Sequence, residues 1–473
     1  MLFNSFSFIV LLVVTFILYY VKFLKKAQIP ILIVASFVFY AYYKPILLIL
    51  FVVSILLNTT SSYVVLNSKD QTRRKLIAGV AIVLNLLLLA FFKYSPLVAT
   101  SFREELGLTA SWSQFFLTIP LPIGISFYTF EGISLLVDVL RNNDALKEKK
   151  VGFVTHLVNT SFFISFFPHL IAGPILKAHD FYPQMKTKFF KDIEWEKVIK
   201  FLIMGYFLKM VVADNLNELT ANITFPYFMG YSSANLVLLL FGYSMQIFAD
   251  FAGYSSIAIG LGLLFGYNLP QNFNFPYISK SFAEFWTRWH ISLSTWLKEY
   301  LYFPLGGNRN GKIRTYLNLF IVMLLGGFWH GAGWSYALWG TGHGAFLAFE
   351  RLIKDKIKIK ETILVQTINT LIVFLVVTFL WLLFKLPNFG QVLDFLKALT
   401  NNTGMKFVIS SKEVNLVILS SFVVVYHIYY LLLKFHKIDI KINQTFQQIT
   451  YGVLLFLIVV NSGDQSAFIY FQF

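Results

Sequence analysis

The sequence predicts an all-α, polytopic membrane protein, and three observations support this prediction. Apolar residue types make up 57% of the chain, whereas charged residues make up only 13%. Soluble domains are typically about 45–50% apolar and about 25% charged. Long stretches without a charged residue recur along the whole chain, and basic residues cluster in the short loops between them. Too few polar side chains remain to cover a water-soluble surface, so we expect an integral membrane protein.

The net charge and the residue types narrow the function classes. The 473 residues carry a formal net charge of +16, but no basic domain stands apart from the apolar stretches. Basic residues between spans are typical of cytoplasmic loops, so we expect no nucleic-acid partner. The chain has no cysteine, which excludes disulfides, thiolate nucleophiles and sulfur-ligated zinc. We expect no metal site, and covalent catalysis would have to use an oxygen or nitrogen nucleophile.

Stretches free of Asp, Glu, Lys and Arg identify the candidate membrane spans. They are residues 1–21, 27–43, 45–68, 76–92, 106–130, 151–176, 219–249, 251–279, 315–349, 362–384, 414–433 and 442–463. A spanning helix needs about 20 apolar residues, with a range near 17–25, and most of these stretches are long enough. Residues 198–213 are a further candidate. We expect roughly 10–13 spans, with 315–349 holding one span, a turn and part of another.

The basic residues predict the orientation of the chain. Residues 1–21 are uncharged and Lys22, Lys25 and Lys26 follow directly, so we expect a retained first span with its amino terminus outside. Three further basic loops are predicted to be cytoplasmic. Their basic residues are Lys69, Arg73, Arg74 and Lys75; Arg141, Lys147, Lys149 and Lys150; and Arg351, Lys354, Lys356, Lys358 and Lys360. Because no linker or repeat interrupts the pattern, we predict one membrane domain over residues 1–473.

Acidic residues and helix breakers also occur within apolar stretches. Glu131, Asp138 and Asp250 are embedded in this way. Their chemistry leaves three interpretations open, namely a helix-to-helix hydrogen bond, a proton relay or a substrate contact. The Pro-Leu-Pro-Ile-Gly sequence at 120–124 predicts a helix break, which would free backbone groups to line a cavity.

Residues 280–312 differ from the rest because charged and aromatic side chains alternate there. Apolar residues recur at steps of three and four, which predicts one amphipathic helix with an aromatic face. They are Phe282, Phe285, Trp286, Trp289, Leu293, Trp296 and Tyr300. Glu284 and Arg288 are four residues apart and can pair on the other side. Pro304 and the glycines at 306–307 should end this helix, which we expect to lie along the membrane interface or to enter the bilayer only partway.

His330 is the strongest single candidate for chemistry. It lies midway along the longest uncharged stretch, in the sequence Gly-Gly-Phe-Trp-His-Gly at 326–331. An ionisable side chain at bilayer depth is costly and usually marks a pathway or a reaction site. Burial disfavours the imidazolium, so the ring should be neutral and able to accept a proton. The alternative is a packing histidine in a small-residue helix contact, and we favour the functional interpretation.

The other seven histidines are less informative. His290 lies in the aromatic helix, and a functional role and an interfacial ring remain equally open. His343, within Gly-Thr-Gly-His-Gly at 340–344, is similarly ambiguous. Of the remaining five, His427 and His436 are expected to be ring tips at the interface, and the other three polar groups satisfied by neighbouring helices. These three are His156, His169 and His179.

Two histidine motifs resemble those of a known family. The first is Phe-Trp-Thr-Arg-Trp-His-Ile-Ser-Leu-Ser at 285–294, continuing to Pro-Leu-Gly-Gly-Asn-Arg at 304–309, and the second is the sequence at 326–331. Supporting matches lie at 1–5, 167–174, 250–255 and 468–473. Together and in this order, they resemble the membrane-bound O-acyltransferase superfamily, and most closely its alginate and peptidoglycan O-acetyltransferase branch. His169, Thr287 and Ser256 depart from the residues common in that branch.

The resemblance implies a fold and a site. It implies a ring of about 11 transmembrane helices, with re-entrant or interfacial helices, around a thin central region where a funnel and a tunnel meet. One membrane-bound O-acyltransferase domain would cover 1–473, with its motif core at about 250–350. His330 matches the family's catalytic histidine and His290 the second motif histidine. Residues expected to line the substrate tunnel are Trp289, Trp329, Asp250, Asn308 and His343.

The first functional hypothesis is therefore an O-acetyltransferase in the bacterial cytoplasmic (inner) membrane. It would move acetyl groups from cytoplasmic acetyl-CoA, as donor substrate and without a bound cofactor, towards an exported polysaccharide of peptidoglycan or alginate type. A neutral His330 would take the proton of the attacking hydroxyl. Because the chain has no large extracytoplasmic domain, we expect an extracytoplasmic, esterase-like partner protein that accepts the acetyl group.

Two other hypotheses remain at this stage. One is a proton-coupled transporter or lipid flippase that uses Asp250, Glu131 and the histidines, although the internal repeats typical of transporters are not apparent. The other is a related enzyme that transfers D-alanine to teichoic acids from a carrier protein. The donor separates them, because only an acetyltransferase cleaves acetyl-CoA.

Overall fold

The computed structural model describes residues 1–101, 110–142, 146, 151–356, 360, 362–386, 388–436, 444–464 and 468–469. These residues form α-helices joined by short 3₁₀ and π turns, and no strand occurs among them. The helices are Phe6–Tyr20, Gln28–Ala41, Ile46–Asn67, Gln71–Ser101, Ala110–Thr118, Ile125–Leu140, Phe153–Ser165, Phe167–Leu170, Ala178–Phe181, Trp195–Tyr206, Asp214–Thr220, Ser233–Leu264, Phe282–Arg288, Ile291–Leu297, Lys312–His330, Trp334–Lys356, Ile363–Lys385, Phe389–Asn401, Ser411–His436 and Gln444–Val460. The all-α prediction is confirmed.

Six helices in the described residues are long and apolar enough to cross a membrane. They are Lys22–Ala41, Ile46–Asn67, Gln71–Ser101, Ser233–Leu264, Ile363–Lys385 and Ser411–Leu433. Two shorter helices, Phe6–Tyr20 and Gln444–Val460, are also apolar. Large apolar side chains such as Phe6, Val34 and Val459 are exposed on these helices, as expected where lipid replaces water. This supports a multi-pass membrane protein, whereas the count of 10–13 spans stays a prediction.

Some sequence predictions fall on residues outside those described. Lys147, Lys149, Lys150 and Lys358 of the predicted cytoplasmic loops lie there, as do residues 470–473 of the last motif. The break predicted at 120–124 is confirmed, because one helix ends at Thr118 and the next begins at Ile125. Gly124 between them has a φ of 77°, a left-handed conformation that glycine adopts without strain.

The chain divides into two compact units. The first comprises Met1–Leu202 and Ile257–Pro270. Its helices Ile46–Asn67 and Gln71–Ser101 are joined by a reciprocal amide pair, in which Asn58 donates to Asn85 at 3.1 Å and Asn85 donates back at 3.0 Å. Side-chain amides are effective links between helices in an apolar environment, where the alternative is an unsatisfied polar group.

The second unit comprises Ile203–Ser256 and Gln271–Phe473. Lys312–His330 and Trp334–Lys356 form a helical hairpin within it, which confirms the turn predicted in 315–349. The two helices touch at Gly327 and Gly340, where a Cβ on either residue would approach the other's Cα to 3.0 Å. Two glycines therefore allow these backbones to pack directly against each other.

The single amphipathic helix predicted over residues 282–300 is wrong in one respect. The chain forms two short helices, Phe282–Arg288 and Ile291–Leu297, because His290 adopts a left-handed conformation with φ 44°. The predicted pair on the first helix is confirmed, with Arg288 Nη2 at 2.8 Å from Glu284 Oε1. The aromatic residues of the motif are largely buried in protein, so packing and not the helical period decides the local backbone.

Candidate active site

The two motif histidines meet in the second unit. His290 is fully buried and His330 is 4% exposed. Their ring centroids lie 6.3 Å apart, and the indole of Trp329 lies against both, at 5.9 Å from His290 and 5.0 Å from His330. Residues 40 positions apart in the sequence are thus brought into one buried cluster. Both motif histidines and Trp329 were predicted as site residues, and the three side chains lie together.

His290 lies at the break between the helices Phe282–Arg288 and Ile291–Leu297, where its backbone is left-handed. Left-handed conformations of residues other than glycine are uncommon and cost on the order of 1–3 kcal/mol, and they concentrate at functional sites. The loop that begins at Gln271 holds the break from both sides. Asn274 N–H donates to the carbonyl of Arg288 at 2.9 Å, and Ile291 N–H donates to the carbonyl of Asn272 at 2.9 Å. The backbone groups that lose their helical partners are therefore satisfied by this loop.

Asn272 fixes the tautomer of His290. Its Oδ1 accepts from the Ser292 N–H at 3.2 Å and from the Ser292 hydroxyl at 2.9 Å, while its Nδ2 donates to Ser255 Oγ at 3.1 Å. A backbone N–H can only donate, so the atom facing Ser292 is the amide oxygen. His290 Nδ1 lies 3.2 Å from the same oxygen and must donate to it. The neutral ring then carries its lone pair on Nε2, the nitrogen able to accept a proton.

The protonation state of His290 agrees with this assignment. Burial lowers the pKa of His290 to about 3, because it removes water from around the imidazolium. The ring is therefore neutral near pH 7, with its Nδ1 proton held by Asn272.

His330 is placed by the end of a helix. It is the last residue of Lys312–His330, and Gly331 continues in an extended conformation. A Cβ on Gly331 would lie within 2.2 Å of the Tyr336 ring, so only glycine lets the chain turn this closely. The imidazole lies edge-on to aromatic rings: Trp339 is at 5.0 Å and Phe384 at 5.1 Å. Protein side chains and not lipid therefore surround His330.

His343 joins the same aromatic cluster from the second helix of the hairpin. Its ring lies 4.6 Å from Trp339, which also contacts His330, and stacks at 9° on Phe285. Trp286 Nε1 donates to His343 Nδ1 at 3.3 Å. His343 is therefore a buried ring within the aromatic cluster, and its place in a substrate tunnel stays a prediction.

The remaining predicted tunnel residues divide into two kinds. Trp289 is buried and lies 4.8 Å from Trp381, so it contributes to the aromatic cluster behind His290. Asn308 is exposed in the turn that follows Pro304, which gives no support to a place in a buried tunnel. Its assignment as a tunnel residue stays a prediction, without a contact that favours it.

Asp250 occupies a buried ion pair. Its Oδ1 accepts from Lys209 Nζ at 2.7 Å, and its Oδ2 accepts from the backbone N–H of Ile469 at 2.7 Å. Lys209 also bonds Asp214 at 2.7 Å. Of the three interpretations of this acid, the contacts favour a hydrogen bond between segments of the chain, because lysine and backbone occupy both oxygens.

The embedded acids of the first unit likewise contact histidines. Glu131 Oε1 lies 2.9 Å from His169 Nδ1, and Asp138 Oδ2 lies 2.8 Å from His179 Nδ1. Elsewhere His156 bonds the Ser62 hydroxyl at 2.8 Å. In the second unit His427 Nδ1 donates to the carbonyl of Val423 at 2.8 Å. Satisfaction by neighbouring helices was predicted for His156, His169 and His179, and the hydrogen bonds of His156 and His179 confirm it. For His169 only the proximity of Glu131 supports it. His427, predicted to be a ring tip at the interface, is instead buried and bonds a carbonyl of its own helix; the side chain of His436 lies outside the described residues.

Three residues of the cluster, Asn272, Trp339 and Phe384, were not predicted from the sequence. Asn272 lies in an uncharged stretch between two motifs, and its polar Gln-Asn pair at 271–272 was the signal that could have identified it. Trp339 and Phe384 lie in the uncharged stretches 315–349 and 362–384, where one aromatic residue does not differ from its many apolar neighbours by pattern. Only the packing of separate helices shows that both contact His330.

Comparison with known proteins matches this chain to one family. The model of the membrane-bound O-acyltransferase family matches residues 33–390. An enzyme of Pseudomonas aeruginosa named "Probable alginate O-acetylase" is 38% identical over 393 residues, covering 82% of this chain and 72% of the relative. A peptidoglycan O-acetyltransferase of Helicobacter pylori is 33% identical over 404 residues, covering 81% and 75%. A teichoic acid D-alanyltransferase of Bacillus subtilis is 29% identical over 236 residues, covering 48% and 58%.

Proposed function

Since this chain belongs to the membrane-bound O-acyltransferase family and is an acyltransferase, we propose that it O-acetylates an exported cell-envelope polysaccharide. The donor is cytoplasmic acetyl-CoA, and the acceptor is of peptidoglycan or alginate type. The names of its relatives in Pseudomonas aeruginosa and Helicobacter pylori support this acceptor class. The D-alanyltransferase relative matches a smaller part of the chain at lower identity, so D-alanine transfer is the weaker alternative.

The observation that carries the proposal is the meeting of two buried imidazoles inside aromatic walls. A hydroxyl is a poor nucleophile at neutral pH and needs a base as it attacks a thioester. His330 accepts the proton while the hydroxyl oxygen bonds to the acetyl carbonyl carbon. The carbon–sulfur bond then breaks, and the imidazolium returns the proton to the departing thiolate. General base catalysis of this kind supplies typically about 10²–10⁴-fold.

His290 has a distinct role in this scheme. Asn272 holds the proton on Nδ1, so Nε2 presents a lone pair in the same cluster as His330. That nitrogen accepts a hydrogen bond from the substrate hydroxyl and orients it for attack, or relays its proton. Its left-handed backbone conformation holds the ring in place before substrate arrives.

The aromatic walls protect the reaction from water. Trp329, Trp339 and Phe384 surround His330 at ring distances of 5.0 to 5.1 Å. Excluding water prevents hydrolysis of the thioester and strengthens each hydrogen bond to the reacting groups. We further propose that residues 1–473 form one catalytic domain with a ring of about 11 helices, a funnel and a tunnel.

The setting of the reaction follows from the proposed donor and acceptor. Acetyl-CoA is cytoplasmic and the polysaccharide is exported, so the chain acts in the bacterial inner membrane. A periplasmic or extracytoplasmic esterase-like protein receives the acetyl group and transfers it to the glycan. Its recruitment is testable, because a deletion strain should lose glycan O-acetylation when either protein is missing.

Reconstitution with labelled donors tests the proposal. The full chain in proteoliposomes should cleave [¹⁴C]acetyl-CoA in the presence of an acceptor, and His330→Ala and His330→Gln should lose at least 10²-fold of that activity. His156→Gln is the matched control, because His156 is a buried histidine bonded to Ser62 in the other unit. A D-alanyl carrier protein serves as the alternative donor. Acetyl transfer undiminished in both His330 variants would overturn the assignment, and turnover with the D-alanyl carrier alone would favour the alternative.

A further inference from the structure

The tautomer of His343 follows from its hydrogen bond to Trp286. An indole N–H donates and cannot accept, so His343 Nδ1 must be the acceptor of the 3.3 Å contact. The ring is buried among aromatic side chains, an environment that disfavours the imidazolium. The single proton of the neutral ring therefore lies on Nε2. The two ring nitrogens point in diverging directions, so this N–H is directed away from Trp286.

That N–H is a buried donor without an acceptor. Among the described residues, His343 Nε2 has no hydrogen-bond partner, and the same holds for the indole Nε1 of Trp339. Both side chains are almost completely buried, and their rings lie 4.6 Å apart. Unsatisfied buried donors are rare in native proteins, and each one calls for an explanation. Because these two donors lie on adjoining rings, one acceptor can serve both.

The surroundings select the chemistry of the acceptor. The described ring contacts of His343 are with Phe285, Trp286 and Trp339, all of them aromatic. An anion such as a phosphate would lose its hydration here and gain no opposite charge, which is costly. A neutral carbonyl oxygen costs less to bury and has two lone pairs, one for each donor.

We propose that His343 Nε2–H and Trp339 Nε1–H bind the carbonyl oxygen of the acyl donor. This assignment rests on the proposed function, because it takes the acyl thioester as the ligand. Trp339 contacts His330 at 5.0 Å, so a carbonyl held by this donor pair lies beside the imidazole that accepts the proton. As the hydroxyl attacks, negative charge develops on that oxygen, and preorganised donors stabilise it. His343 and Trp339 thus bind the reacting carbonyl, and Trp286 is a positioning residue that sets the His343 tautomer.

Paired substitutions at His343 test the assignment. A glutamine amide extends about as far as imidazole Nε2, whereas an asparagine amide extends only about as far as Nδ1. In proteoliposomes, His343→Asn should lower kcat with acetyl-CoA about 10²-fold, the scale of losing one donor to a developing oxyanion. His343→Gln should retain at least tenfold more activity than His343→Asn. Trp339→Phe, which keeps an aromatic ring and removes the N–H, should also lower kcat.

Binding of coenzyme A without an acyl group distinguishes the two carbonyl sources. If the acyl carbonyl is the ligand, the variants bind free coenzyme A as wild type does. If an amide carbonyl of the pantetheine arm is the ligand, His343→Asn weakens binding of free coenzyme A, and the acyl-carbonyl assignment is overturned. Equal activity of the Asn and Gln variants, or wild-type kcat in Trp339→Phe, would also overturn it.

Two controls keep these outcomes separate from other failures. Thermal unfolding in detergent identifies any variant that does not fold. If His343→Asn does not fold, the kcat of Trp339→Phe decides the question. If wild-type protein does not turn over acetyl-CoA at all, the proposed function fails. The donor-pair assignment fails separately, when wild type is active and His343→Asn or Trp339→Phe has the same kcat.

Discussion

Replacing Asn272 with alanine should lower acetyl transfer more than it lowers stability, because Asn272 holds the His290 ring in position. Asn272 Oδ1 accepts from the Ser292 N–H, the Ser292 hydroxyl and His290 Nδ1. The hydroxyl can rotate to another acceptor, so the substitution removes the Asn272 acceptor from two fixed donors, the Ser292 N–H and His290 Nδ1. At about 0.5–1.5 kcal/mol net for each hydrogen bond lost, the free energy of unfolding should fall by about 1–3 kcal/mol.

The same substitution should lower activity more than stability. The contacts that hold the backbone break use the Asn272 carbonyl and Asn274 N–H, which the alanine variant keeps. The His290 ring, however, loses the bond that fixes its proton and its orientation. Loss of a partner that orients a functional imidazole costs roughly 10–100-fold. We therefore expect acetyl transfer by folded Asn272→Ala protein to fall by about that factor at saturating acetyl-CoA.

The assay compares two buried asparagines. Asn85→Ala removes the reciprocal amide pair with Asn58 in the other unit, so it should lower the thermal midpoint as well. Acetyl transfer per folded molecule should stay near wild type in Asn85→Ala and fall only in Asn272→Ala. Equal activity per folded molecule in the two variants would refute the argument that Asn272 acts through His290.

Three further predictions concern residues away from the histidine cluster. Asp250→Asn should lower the thermal midpoint, because it weakens the buried ion pair with Lys209, and it should leave the KM for acetyl-CoA unchanged. A raised KM would favour a substrate contact instead. Gly327→Ala should lower the thermal midpoint, because the added Cβ would clash with a backbone carbonyl of the facing helix. Gly452→Ala is the control, because no atom lies within 4 Å of the added Cβ, and its midpoint should not change. Equal midpoints for the two variants would contradict the close helix contact. The hydrogen bond from His179 to Asp138 raises the pKa of this half-buried histidine. The stability that the pair contributes is therefore complete below the unfolded pKa of about 6.5 and is lost as the pH rises through the folded pKa. Asp138→Asn should remove this pH dependence of the thermal midpoint, and an unchanged dependence would count against the pair.

Helix content and motif positions could be predicted from the sequence because they depend on local composition. The helix break at 120–124 follows from prolines and a glycine, and the hairpin within 315–349 follows from a long uncharged stretch with Gly331 and Gly333 near its centre. The Glu284–Arg288 pair follows from helical spacing. Each of these features involves residues that are near neighbours in the chain, where steric and hydrogen-bonding preferences act directly.

The break at His290 could not be predicted in this way. The spacing of aromatic residues over 282–300 fits one continuous helix, and no proline or glycine interrupts it. The backbone departs from the helix because the Asn272 and Asn274 main chains satisfy the exposed groups on both sides of the break. Tertiary hydrogen bonds thus outweigh local preference, and the sequence carries no signal of them within the helix itself.

The sequence by itself determined that this chain enters a membrane, that its described part is helical, and which two motifs carry histidines. Those properties arise from apolar composition and from residue types within short windows. Only the tertiary structure decided that His290 and His330 share one cluster, that Asn272 and Trp286 set the tautomers of two rings, and that Asp250 binds a lysine. The physical reason is that a hydrogen bond or ring contact depends on distances of a few ångströms between segments far apart in the chain, and only packing establishes those distances.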